Sequence, residues 1–338
     1  MALKLIFLLL MVCSCIMCFL TGPISRSGEC LQSVPGIECQ CKAVNQTIHV
    51  HCFCLPVKTV DLRNLSQEYE VIQASVFTLQ NCRSTSVLVF PGTFSDLNSL
   101  EYISFYNVGR LTLEHNCINL RSISENVILN FSLITNLSIR KNAINIQPRN
   151  KCMDSKASIN IKHSTLLSLM KSAIVTNLKE LTMEEMILKA RPWPEAIVVL
   201  GSAGASVSLK SVSIKKGLTG RWITGNISRL SITESNLRLL PEAFAGVTIV
   251  EDQESNTGIT LFGNNFMIPS LPSQALPSDA PVLQAQKNRI VCQCQNLAWL
   301  LEPPNTPLKN SVKDSLICRN KSLDLLLPSC ETHFPSTV

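Results

Sequence analysis

ITNLSIRKNAI, Ile134 to Ile144, carries the pattern on which the fold turns. Leu137 and Ile139 alternate as in a short strand with one buried face, and the amide at Asn142 can satisfy backbone groups in the turn that follows. The phrase recurs as ISRLSITESNL (Ile227 to Leu237), LKELTMEEMIL (Leu178 to Leu188) and NTGITLFGNNF (Asn256 to Phe266). LEYISFYNVGR, ASINIKHSTLL and ASVSLKSVSI are looser copies. Aligned on the central apolar-x-apolar pair, the copies begin at Val60, Phe77, Ile103, Leu137, Ile159, Leu181, Val207, Leu230, Ile259 and Leu283. The mean interval is about 25 residues, inside the roughly 20 to 29 of leucine-rich repeats. An interval of 17 after Val60 and one of 34 after Ile103 fall outside it, read as a truncated first repeat and an insertion between Leu111 and Phe131. Asn142, Asn264 and Asn288 hold the amide place and Cys82 takes it once, whereas Val108, Met186 and Val212 depart from it. One coil cannot bury its own apolar edge, so the coils are expected to stack into a solenoid with a parallel sheet along one side.

The composition agrees with a packed core. Of 338 residues 46% are apolar and only 5% aromatic, and 13 Gly with 17 Pro are too few for a collagen-like or Pro-rich chain. The 30 basic and 24 acidic residues are interspersed along the sequence, giving +6 overall without the clustered basicity that a phosphate backbone requires. Nucleic acid is not expected as a partner.

The first 25 residues read as a secretory signal, with Lys4 before an apolar run from Leu5 to Leu20 and small residues after it. Retention of this run as a membrane anchor is the weighed alternative. Cys13, Cys15 and Cys18 would leave with the signal and twelve cysteines remain, an even set that argues for disulfides in an oxidising compartment. Sequons at Asn45, Asn64, Asn130, Asn136, Asn226 and Asn320 are expected glycosylation sites. No second apolar run of spanning length and no lipid-anchor signal follows, so a secreted product without a membrane anchor is expected.

The cysteines cluster where an open-ended stack needs covers. Cys30, Cys39, Cys41 and Cys52 precede the repeats, over an N-terminal cap of residues 26–56. Repeats fill 57–290, and a C-terminal cap of 291–331 carries Cys292, Cys294, Cys318 and Cys330 before a tail of 332–338. With CQCQNLAWLL running on from PVLQAQKNRI, the chain resembles extracellular leucine-rich repeat proteins with cysteine-rich flanks, from about Cys30 to Cys330. That resemblance implies an α/β-type horseshoe whose concave side is a parallel sheet. It also implies the pairings Cys30–Cys41, Cys39–Cys52, Cys292–Cys318 and Cys294–Cys330; spacing alone does not fix connectivity. Cys117 and Cys152 lie 14 and 15 residues past their aligned strand starts, hence at like heights on neighbouring coils, and are expected to bond. Cys54 and Cys82 are left as a pair.

Catalytic and metal chemistry find little support. In HVHCFC, strand alternation sets His49 and His51 on one face and Cys52 and Cys54 on the other, and an oxidising compartment favours disulfides over zinc thiolates. His115, His163 and His333 stand apart from any nucleophile pattern, and GSAGAS (Gly201 to Ser206) has neither GxSxG nor phosphate-loop spacing. Glu180, Glu184 and Glu185 fit a solvated face. No enzyme activity, cofactor or metal is expected.

Binding is expected on the outward column three residues past each strand start, which pairs Arg140 and Lys162 against Glu184, with Lys210 beyond and Tyr102 and Tyr106 one coil earlier. Aromatic residues and charges of both signs suit a protein interface. A glycan on Asn136 would crowd Arg140 in this arrangement. The partner is expected to be an extracellular protein such as a receptor. The non-catalytic leucine-rich subunits of crustacean secreted luciferases are similar in size and flank style, which would make the chain an accessory subunit of a secreted enzyme. Recognition of microbial glycans is a third reading.

Overall fold

A computed structural model describes residues 28–30, 34–290, 294, 297, 307–318 and 321–322, except 46, 96, 98, 123–125, 149–155, 202–203, 219, 241, 252–256, 268–275 and 278–279. Parallel strands wind through about eight turns of a β-solenoid. Two ladders run through the stack, and a third accompanies them in its middle coils. The first face aligns Val50, Phe77, Ile103 and Leu129, then Ile159, Leu181, Val207, Leu230 and Ile259. The second aligns Val60, Val87, Leu111 and Leu137, then Leu166, Leu188, Ile214, Leu237, Phe266 and Ile290. The third aligns Phe94, Ile118, Ile144, Ile174, Ile197 and Ile223.

This is not the expected α/β horseshoe. Helix among the described residues is limited to Leu65–Gln67, Tyr69–Ile72, Pro307–Ser315 and the positions Cys294 and Leu297. A horseshoe curves because helices on one side are wider than strands on the other; here, through the middle coils from Phe94 to Ile223, strands occupy all three faces at the same spacing of about 4.8 Å. Three of the aligned copies also move: Leu283 bulges from the ladder and Val282 pairs with Ile259 in its place, and the other two change face. Val60 and Leu137 belong to the second face, and the first-face positions beside them are Val50 and Leu129. The 34-residue interval after Ile103 therefore contains a whole strand start at Leu129 and no insertion.

The same phrase spells two different corners. Between the first and second faces the chain turns through a left-handed residue, Asn81, Asn107, Leu133, His163, Glu185, Ser211, Glu234, Gly263 or Lys287 in successive coils. Between the second and third it turns through Gly92, Asn116, Asn142, Ser172, Glu195, Arg221 or Glu242. Non-glycine residues in that region cost roughly 1 kcal/mol each. Backbone bonds running from coil to coil offset this: Asn116, Asn142, Ser172, Glu195 and Arg221 each donate their N–H to the carbonyl of the next coil's left-handed residue, at 2.6–2.9 Å.

The interior changes along the stack. Near the N-terminal end Phe77, Phe94, Phe105 and Phe131 form one cluster, with centroids 5.0 Å apart for Phe77 and Phe94 and 5.8 Å for the stacked Phe105 and Phe131. Further along, Trp222 packs edge-on against Phe244, and toward the other end a buried polar ladder lines the corner after the first face. Asn264 Nδ2 donates to the Ile232 carbonyl at 2.7 Å and to Asn288 Oδ1 at 3.0 Å, while its Oδ1 accepts from the Ser235 N–H at 3.0 Å.

The N-terminal cover is an antiparallel hairpin, Ile37–Val44 with Thr47–Cys54, whose second strand joins the first-face ladder. Cys39–Cys52 ties the hairpin across and Cys54–Cys82 ties it to the first full coil. Cys41, Cys294 and Cys318 are disulfide-bonded as well. The pairings implied for Cys30, Cys292 and Cys330 involve side chains outside the described residues, as does Cys152. Cys117 is a free, buried thiol, so the expected bond to Cys152 is absent. The residue stacked on Cys117 is Ala143, whose carbonyl accepts from the Ile118 N–H and from Cys117 Sγ at 3.4 Å. Ala173 and Ala196 continue that column, so Cys117 fills an alanine-sized place.

Candidate binding face

The outward side of the first face carries three parallel columns because strand residues alternate in and out. The middle column is almost entirely small and uncharged: Thr78, Ser104, Asn130, Asn160, Thr182, Ser208, Ser231 and Thr260 lie side by side across successive coils. His51 begins it, with Nδ1 2.8 Å from Thr78 Oγ1. Burial, then His49 and Lys42, holds His51 below the usual histidine range. Its neighbours Cys52 and Cys54 are in disulfides and so are not thiolate ligands.

Of the six expected contact residues five share this face. Tyr106, Lys162, Glu184 and Lys210 form one flanking column, in which Ser132 occupies the position between Tyr106 and Lys162. Tyr102 lies in the opposite flank beside Ile128. Arg140 does not belong. It follows the second-face strand and its Nε lies 3.9 Å from Glu114. Arg63, three residues past the aligned start at Val60, likewise follows a second-face strand, and Phe53 holds the column position beside Gln80.

The charges in the flanking column are spent on one another. Glu184 receives Lys210 at 2.8 Å and Lys162 at 3.1 Å. Hydrogen bonds from Lys210 and Lys162 hold the Glu184 carboxyl below its ordinary pKa, and the Glu184 bond raises that of Lys210. What the face offers without internal partners is amphipathic surface: Tyr106 is 43% exposed and Ile128 36%. Ile128 lies in VILNF (Val127 to Phe131), which alternates as a strand should but lacks, five residues past Leu129, the amide that Asn142, Asn264 and Asn288 supply in other copies.

The sequons distribute over several surfaces. Asn45 is in the hairpin turn, Asn64 precedes the short 3-10 helix, Asn136 lies opposite Arg110 on the second face, and Asn226 pairs with Thr248 in the strand Ile223–Ile227. Asn320 lies outside the described residues. Asn130 is the one within the middle column, donating to Ser104 Oγ at 3.1 Å and Tyr102 Oη at 3.5 Å. The crowding foreseen for Asn136 therefore transfers to Asn130, at the N-terminal part of the face. No family model, curated protein or solved structure matches this chain.

Proposed function

We propose that the chain is a secreted binding protein allied to the extracellular leucine-rich repeat proteins, glycosylated at its other sequons with Asn130 left unmodified, and that it engages another extracellular protein through the first face without chemistry of its own. The observation that carries this is the Tyr102, Tyr106 and Ile128 patch beside an uncharged column that runs the length of the sheet. Rigid aromatics presented on paired strands are suited to anchoring a partner at little entropic cost. The disulfides, the apolar leader and the absence of a membrane-spanning helix among the described residues support an extracellular setting. The alliance is supported by buried Asn264 and Asn288 at the amide place of the repeat.

Affinity capture from native extracellular fluid tests the reading with two variants. Tyr106→Ala removes an anchor. Glu180→Asn completes a glycan acceptor with Leu181 and Thr182 and places a glycan on the exposed flank. Both are expected to lose the partner held by the wild type; retention of that partner by the glycosylated variant refutes binding at this face.

A further inference from the structure

Cations far apart in the sequence meet at the corner between the second and third faces. Pairing of Leu188 with Ile214, and of Ile214 with Leu237, brings Lys189, Lys215 and Arg238 out of three consecutive coils at one edge, all exposed. The register shifts after Ile214, so Lys215, Lys216 and Gly217 bulge opposite Arg238. Arg191 reaches this bulge, donating from Nε and Nη2 to the Lys216 carbonyl at 3.3 and 3.2 Å. The guanidinium is held in place while still exposed. On the adjoining turn Lys141 and Lys171 follow one another, and Arg221 lies one coil beyond Glu195. Acids are few there: Glu114 lies 3.9 Å from Arg140, Glu195 is 3.0 Å from Lys171, and Glu242 follows Arg221.

Trp193 stands in the middle of this band and is 55% exposed. Pro192 and Pro194 flank it, its N–H donates to the Leu169 carbonyl at 3.0 Å, and its own carbonyl accepts from Ala196 at 3.2 Å. Prolines fix φ, so the indole is presented on a stiff backbone.

We propose that this corner binds a linear sulfated polysaccharide, the cations pairing with sulfate groups and Trp193 lying against a sugar ring. The cations run along the stack axis, one or more per coil at about 4.8 Å, which suits a chain laid along the solenoid better than a single small anion. A bilayer would need a plane of apolar insertion, and the corner has one tryptophan. The choice of a polysaccharide over a nucleic acid rests on the extracellular setting proposed above; the cationic band does not.

The test is binding of the full secreted chain to heparin at fixed ionic strength. Lys215→Glu with Lys216→Glu is expected to weaken binding about tenfold or more, and Trp193→Ala to weaken it while leaving the salt dependence unchanged. Lys42→Glu with Lys58→Glu, the same charge change at the N-terminal cover, is expected to keep wild-type affinity. Equal weakening by the two double variants would mean net charge alone is sensed and would overturn the proposal. So would unaltered affinity in the corner variant, or preference for phosphatidylserine vesicles over heparin. Loss of the protein partner in the first-face variants with heparin binding intact separates this site from the one proposed earlier.

Discussion

Asn264 satisfies groups from the coils on both sides of its own: the Ile232 carbonyl and the Ser235 N–H on one, the Asn288 side chain on the other. Truncation strands them in a dry interior, and Asn264→Ala should cost about 2–4 kcal/mol in chemical denaturation. Asn264→Ser should recover part of this, because Ser235 serves in the same column with bonds to Leu209 and Thr233 carbonyls. Cys117 is the opposite case. Since alanines hold its place on the following coils, Cys117→Ala should change stability by less than about 1 kcal/mol. Burial pushes its thiol pKa upward, and a thiol reagent should label it only after unfolding. The sequence identified the amide place but not its two meanings. Asn142 stands at the same offset as Asn264, yet it is exposed and used for its left-handed backbone, whereas Asn264 is buried and used for its side chain. Local spacing does not say which corner a phrase belongs to.

At the level of elements, the N-terminal hairpin is a small cover held by disulfides at Cys39, Cys41, Cys52 and Cys54 and by contact with the strand Ala74–Val89. His51 makes its docking sensitive to acid. The folded pKa lies below the ordinary 6.5, so the unfolded chain takes up the proton first, and the contribution is full above about 6.5 and falls as pH drops through it. Hydrogen exchange of the Val50 and Cys52 amides, corrected for intrinsic rate, should quicken between about pH 7.5 and 5.5 relative to amides near Leu129, and His51→Gln should flatten the change. Reduction of the disulfides should loosen the same hairpin first. Cysteine spacing made this cover legible in advance, because sulfur bridges mark an end that hydrophobic area alone cannot seal. The helices of a horseshoe were inferred from the family resemblance and not from periodicity, and three-sided strand pairing took their place.

For the whole molecule, each coil contacts mainly its neighbours, so the stack should tolerate loss of one complete unit. Deleting residues 207–229 would bring Leu181 into register with Leu230, since Val207 now pairs with both. The shortened chain should retain cooperative unfolding with a smaller denaturant slope, while a deletion of about half that length should abolish native packing by turning strands out of phase. The period of the repeat was visible in the chain; the charge distribution was not. A count of interspersed Lys and Arg argues against a basic patch, but coils that place Lys189, Lys215 and Arg238 on one edge create it from positions more than twenty residues apart.

The interlocked phenylalanines near one end and the corner amide ladder near the other give the molecule a mechanical polarity. Aromatic packing resists a pull through area that must be wetted all at once, whereas the buried amides can be exchanged for water one coil at a time. Stretched between its termini, the chain should unspool in steps from the Asn288 side, leaving the Phe77–Phe131 segment as the last to yield.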